Sequence, residues 1–308
     1  MDNMNCVRSG LMIWVAVASL LITVCNDARS GTAVSSGAAV ATVGDEDQEK
    51  KYLELDPANF DRSTTIDNEW LPLKPGTQSV YEGFNVEDGE KIPHSVVDTV
   101  TDLTKVINGV RTVVSVEEDY SEGKLIEREI AFHAQDNDGN VWHLGQLRET
   151  YDDVEFVGGR VWLVGHLKGA KAGIRMLAKP RLGTPGYSQG YAPPPFNWTD
   201  RGRVYQMGQK TKVPTGSYDD VLVIEEWDAE TPKGVFQLKY HARGVGIVRI
   251  GFRGPDPEKE EMELVKHVQL APEALAKVRA EALRIEERAY VFGRTPPAEP
   301  MTPGAGGR

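Results

Sequence analysis

Turn signals that interrupt alternating, period-two segments constrain this sequence more than any other feature. Asn108-Gly109 is the strongest short hairpin signal, and it separates alternating residues 96–106 from 110–117. In the second run Val110, Thr112, Val114 and Val116 share one face. Ser121-Glu122-Gly123 then turns the chain into residues 125–134. There Ile126, Ile130 and Phe132 take one face, and Glu127, Glu129 and His133 the other. Asn137-Asp138-Gly139-Asn140 turns the chain again into 141–151, and Gly158-Gly159 precedes 160–166. A second set of strands is expected at 211–214, 221–228, 235–242 and 247–252. Successive strands joined by short turns pair antiparallel. A long meander curls, because strands twist and edges need protection. The expected fold class is mainly β: an antiparallel meander curled into a barrel or half-barrel, with a two-sheet sandwich as the alternative. One helix is expected, over 272–290, to pack across the sheet or close one end of it. Pro272 suits its first turn, and Leu275, Val278, Ala282, Ile285 and Ala289 form its apolar stripe.

The termini read differently. Residues 11–24 run almost without polar side chains. That is short for a membrane span, which needs about 20 apolar residues, and it suits the core of a secretory signal. An uncleaved anchor is the alternative. The two cysteines, Cys6 and Cys25, lie in or beside this segment, so the rest of the chain has no disulfide to rely on. Ile22-Thr23-Val24-Cys25 resembles a bacterial lipobox, with Cys25 as the lipidated residue, although Val24 departs from the small residue such a motif carries there. Cleavage near Ala28 or Ala41 is the rival. The organisation is then a signal segment at 1–25, a flexible linker at 26–55, one β-rich domain at 56–294 and a Pro/Gly-rich disordered tail at 295–308. The protein is expected to be exported: periplasmic, anchored to the envelope, or extracellular. Membrane contact is expected only through the N-terminal segment or a lipid. A net charge of −11 argues against a nucleic-acid partner.

Four motifs occur in order: IDNEWLPLKPGT from Ile66, AQDNDGNVW from Ala134, VPTGSYDD from Val213 and GVGIV from Gly244. Together they resemble a family of exported bacterial β-rich proteins of unknown function, over residues 60–252. The resemblance implies secretion or lipid anchoring and a β-rich fold, and it carries no catalytic residues. In that family a Tyr commonly stands where this chain has His133, His143 and His241, and a Pro where it has Arg243. The chain thus resembles a family member that has gained three imidazoles.

Histidine binds metals or moves protons near neutral pH. A three-residue loop between 133 and 143 places His133 directly opposite His143, whereas a two- or four-residue turn sends them to opposite faces. His133, His143 and His241 are therefore candidates for a metal triad or an acid–base site, with Tyr240, Tyr151 and Arg243 as further catalytic candidates. The bland alternative is partly exposed strand residues on polar faces. Asp136-Asn137-Asp138-Gly139 lacks the later ligands of a calcium loop and reads as a turn. Residues 180–203 form a long Pro- and aromatic-rich loop. Its Tyr187, Tyr191, Phe196 and Trp198, together with Trp142 and His166, are candidates to hold an apolar ligand or a sugar ring, or simply to pin the loop down. No nucleophile elbow, zinc-protease helix, P-loop or dinucleotide fingerprint occurs, so no cofactor is indicated. The leading function is binding of a small molecule or glycan in a cavity covered by the aromatic loop. The alternatives are a His/Tyr-dependent carbohydrate lyase or hydrolase, with or without a metal, and a structural envelope lipoprotein.

Overall fold

The computed structural model describes residues 52–194 and 196–302. The signal segment, Cys25 and nearly all of the linker lie outside the described residues. After a 3-10 turn at Pro57–Asn59, the chain forms β1 (Thr77–Glu87), β2 (Glu90–Ile107), β3 (Val110–Ser121), β4 (Lys124–Gln135) and β5 (Val141–Asp152). It continues through β6 (Glu155–Leu163), β7 (Lys171–Met176), β8 (Tyr187–Ser188), β9 (Gly190–Tyr191) and β10 (Arg201–Val213). Strands β11 (Gly216–Trp227), β12 (Phe236–Ala242), β13 (Gly246–Arg253) and β14 (Glu261–Gln269) lead to helix α1 (Pro272–Arg288) and a last short strand, β15 (Glu299–Pro300).

Asp88-Gly89, Asn108-Gly109 and Glu122-Gly123 have positive φ at both positions and connect β1 to β4 as consecutive hairpins. That geometry matches the right-handed twist of the flanking strands. The β5–β6 turn does the same with Asp153 and Val154, the latter at φ 70°. A β-branched residue is costly there, which is why no turn signal is visible at this point of the sequence.

The strands form one antiparallel sheet in the order β8-β10-β11-β12-β13-β14-β1-β2-β3-β4-β5-β7-β9, with β6 added to β5 and β15 to β2. Its two ends, β8 and β9, are neighbours in sequence and flank only Gln189. The sheet therefore curls until its edges meet at one residue, joined by a covalent link and not by a ladder. The expected curled meander with one C-terminal helix is the observed architecture.

The curl has two faces with different cores. On the outer face Leu103, Val114, Val116, Ile130, Phe132, Leu144 and Leu147 pack with Ala282 and Ile285 of α1. Each fully buried side chain of this kind contributes about 1.5–3 kcal/mol. Ion pairs extend the helix contact: Arg128 joins Glu118 and Glu281, and Arg288 joins Glu149. On the inner face Val100, Val113, Val141 and Met176 meet Val204, Leu222 and Ile224 from the opposite half of the curl. Ile66, Trp70, Leu71 and Leu73 belong to that cluster and plug one end. Asn68 fixes the plug by donating to the carbonyls of Gly139 and Leu177.

Residues 295–302 were expected to lack structure. Instead Glu299 and Pro300 pair with Thr104 and Leu103 of β2. The cause is Lys105, whose side chain is 1% exposed. Its ammonium donates to Glu286 at 2.7 Å, to Thr295 at 2.9 Å and to the carbonyl of Pro296. Glu286 also accepts from the backbone of Ala298. One buried charge pair thus holds strand, helix and tail together.

His94 makes a second buried link, with Asp119 at 2.6 Å and Glu260 at 3.1 Å. Burial alone would lower its pKa, but the two carboxylates prevail and raise it to about 10. A raised folded pKa gives stability that is complete below the unfolded value near 6.5 and lost as pH rises through about 10. Between pH 7 and pH 10.5 the wild type is expected to lose more melting temperature than His94→Gln. Parallel melting curves for the two proteins across that range would sink this assignment.

Candidate functional site

The inner face of β3–β6 carries the site. Asp136 organises the β4–β5 turn: its carboxylate accepts from the Asn140 backbone at 2.8 Å, the Asn140 amide at 2.9 Å and Trp142 Nε1 at 2.8 Å. The turn is thus closed on its own side chains. It sets His133 opposite His143 in the ladder, with ring centroids 5.1 Å apart and planes at 23°. A register shift between Phe132 and His133 follows. It lets His143 face inward while Leu144 joins the outer core.

Around this pair lies an aromatic corner. The His143 ring is 5.0 Å from Trp162 and 5.8 Å from Trp198, and the two indoles are 5.9 Å apart. Trp162 belongs to a cross-strand row, Ser115–Ala131–Gln146–Trp162. Gln189, at the seam of the sheet, donates to Glu226 at 2.7 Å, and Arg175 reaches the same carboxylate at 3.2 Å.

The distinguishing property of this region is unmet hydrogen-bonding capacity. Buried atoms without a partner include Ser115 Oγ, His133 Nδ1, Gln146 Oε1, Trp162 Nε1, Tyr187 OH, Gln189 Oε1 and Trp198 Nε1. Native interiors leave few such groups, because each costs about 1–3 kcal/mol. Seven such atoms lie in this region, more than its own hydrogen bonds satisfy. Ala131, in the middle of the row, is nevertheless only half-buried, so there is room over it.

Two residues further along each strand lies a second row, Asp98–Glu117–Glu129–Arg148–Arg160, also facing inward. Glu117 is exposed, yet burial is the main cause that lifts its carboxyl to about 8, with Glu129 and Asp98 adding to it. Burial likewise raises Asp98 to about 6 and Glu127 and Asp200 to about 7. It pushes the Tyr187 hydroxyl upward. The imidazoles move the other way. Burial and then Arg175 lower His143 to about 3. Burial lowers His241 to about 4 and holds His133 well below its ordinary value. All three are neutral at pH 7.

The predicted residues divide. His133, His143, Tyr187 and Trp198 meet in this region. His241 faces inward on β12, where its ring nitrogen lies 3.1 Å from the Trp70 carbonyl. Among the described residues no three His, Cys, Asp or Glu side chains are grouped to hold a metal ion. The three histidines therefore form a pair and a separate residue, not a metal triad. Tyr151 donates to Glu149 at 2.6 Å on the helix side. Tyr240 packs in a cluster with Tyr81 and Val248, with Arg249 5.4 Å from its ring. Arg243 is exposed, lies 4.1 Å over Trp70 and pairs with Asp220 and Glu69. Trp142 is tied to Asp136 and stacks edge-on to Phe60. Tyr191 meets Tyr52, Phe196 packs against the outer core, and His166 sits in the turn after β6. A groove of about 440 Å³ between Phe84, Lys91, Phe252 and Lys259 lies away from all of these.

Ser115, Gln146, Trp162, Gln189, Arg175 and Glu226 were not singled out in the sequence. The available signal was a polar residue at an inward position of a strand, visible for Ser115 and Gln146 once the register is known.

No family model matches the chain, and no curated protein matches it. Two solved structures are similar. One is a candidate exported protein with a YmcC-like fold from Bacteroides fragilis NCTC 9343, 13% identical, covering 65% of this chain and 99% of its own, at a TM-score of 0.34. The other is a candidate lipoprotein from Parabacteroides distasonis ATCC 8503, 11% identical, covering 66% of this chain and 100% of its own, also at 0.34. A likeness of this degree assigns no residue of this chain a role.

Proposed function

We propose that this protein is exported and binds a small polar molecule with a ring, of the saccharide type, inside the curled sheet. The observation that carries the reading is the cluster of buried, unpartnered polar atoms around His133, Gln146, Trp162, Tyr187 and Gln189. The donors and acceptors of this cluster suit the hydroxyl groups of a saccharide. The apolar segment at 11–24 supports export.

The reading is tested by titrating a panel of mono- and disaccharides and following heat and tryptophan fluorescence. A bound member is expected to raise the melting temperature. Gln146→Leu is expected to weaken it by about tenfold to a hundredfold, since one buried hydrogen bond to a ligand is lost. A panel without a single binder, or full affinity in Gln146→Leu, would count against the pocket.

A second reading has one observation in its favour. Glu117, raised to about 8, directly opposes Glu129, which accepts from Gln146 and Arg148. Two carboxyls with different environments in one space suit acid–base chemistry on a glycosidic bond. The lowered imidazoles suit it less, because a base works best with a pKa near the working pH. Product analysis on any bound saccharide decides between the two.

A further inference from the structure

Two inner positions carry carboxyl groups that have no salt-bridge partner among the described residues. Asp98 on β2 and Glu117 on β3 sit directly opposite each other, and Glu117 faces Glu129 in turn. Like charges in opposite positions destabilise a sheet. Glu129 is compensated: Gln146 donates to it at 2.8 Å and Arg148 at 3.0 Å. Asp98 and Glu117 feel Arg175 and Lys239 only through space, and Arg175 is itself committed to Glu226.

A second observation points into the same row. Gln146 is 2% exposed, its amide nitrogen is tied to Glu129, and its Oε1 has no partner. Ser115, 6% exposed, is the next inward residue to Glu117 on β3, and its Oγ has no partner either. Both are acceptors beside two accessible carboxyls.

We propose that the ligand of this pocket is an amino saccharide whose ammonium group is received by Asp98 and Glu117, with Ser115 Oγ as a further acceptor. This rests on the pocket being a ligand site. An organic cation fits better than a metal ion, because no metal-holding group of side chains is present among the described residues. An ammonium asks only for a few acceptors around it. A bound cation would also draw both raised carboxyls into their charged form.

The test compares two probes with the same rings: the β-1,4-linked disaccharide of glucosamine and its fully N-acetylated form, each titrated calorimetrically below the amine's pKa. The free amine is expected to bind about tenfold tighter or more, as charge-assisted hydrogen bonds exceed neutral ones. Glu117→Gln is expected to abolish that preference, with circular dichroism confirming the fold. Asp98→Asn replaces it if Glu117→Gln does not fold. Equal or tighter binding of the acetylated form overturns the cation site and leaves the pocket reading intact. So does binding of other neutral saccharides with neither probe bound. A preference that persists in the variants overturns the role of Asp98 and Glu117. Absence of binding by every saccharide overturns both readings.

Discussion

Glu286→Ala is expected to destabilise the folded protein by about 3–5 kcal/mol, the range for removing one member of a buried ion pair. Lys105 would keep its charge, 1% exposed, with only Thr295 and the Pro296 carbonyl left to it. The backbone of Ala298 would lose its acceptor at the same time. For a domain of this size the melting temperature should fall on the order of 10 °C. Proteolysis after residue 290 should begin earlier, because the segment 295–302 is held by the same pair. The double variant Lys105→Met/Glu286→Leu is expected to recover most of the loss, since replacing both charges removes the stranded ammonium. A Glu286→Ala protein that melts within about 2 °C of the wild type would show that the pair bears little of the fold's stability.

The second large effect is expected at the seam. A Cβ at Gly173 on β7 would collide with the backbone of Ser188, Gln189 and Gly190, the link where the two ends of the sheet meet. Backbone cannot swing aside as a long side chain does. Gly173→Val should therefore separate β7 from β9 and open the wall that carries Gln189 and Tyr187. Overpacking of this kind costs about 1–3 kcal/mol, and more where backbone must move. Trp162 and Trp198 should become more accessible, shifting tryptophan emission to the red. Saccharide binding should be lost together with the seam. Unchanged emission and a wild-type melting curve in Gly173→Val would mean that the seam is not the tight contact described.

These two sites show where local pattern reaches and where it stops. The Asn108-Gly109 turn is legible because its backbone needs positive φ at both positions, which Asn and Gly supply, and at Glu122-Gly123 the glycine alone carries the signal. Asp153-Val154 makes the same turn without the signal, so β6 was expected to begin near 160 and in fact begins at Glu155. Glu261–Gln269 carries polar residues at both kinds of position, so alternation is faint there. The His133–His143 pairing was a conditional expectation of loop length, and the Asp136 network selected the register that aligns them.

That successive segments pair antiparallel, that the sheet curls and that one amphipathic helix follows is legible in the residues alone. Those properties come from period-two alternation, turn chemistry and a 3.6-residue stripe, all of them local. How far the curl goes depends on long-range contact, because its ends meet at Gln189 through two two-residue strands that no periodicity reveals. Long-range contact also decides which polar residues share the interior. Ser115, Gln146 and Trp162 lie far apart in the chain and fall in one cross-strand row through register, and the carboxyls of Asp98 and Glu117 oppose each other for the same reason. Register is a sum over several hairpins, each offset by its own turn and bulge. A one-residue error in any of them would send these side chains to the other face.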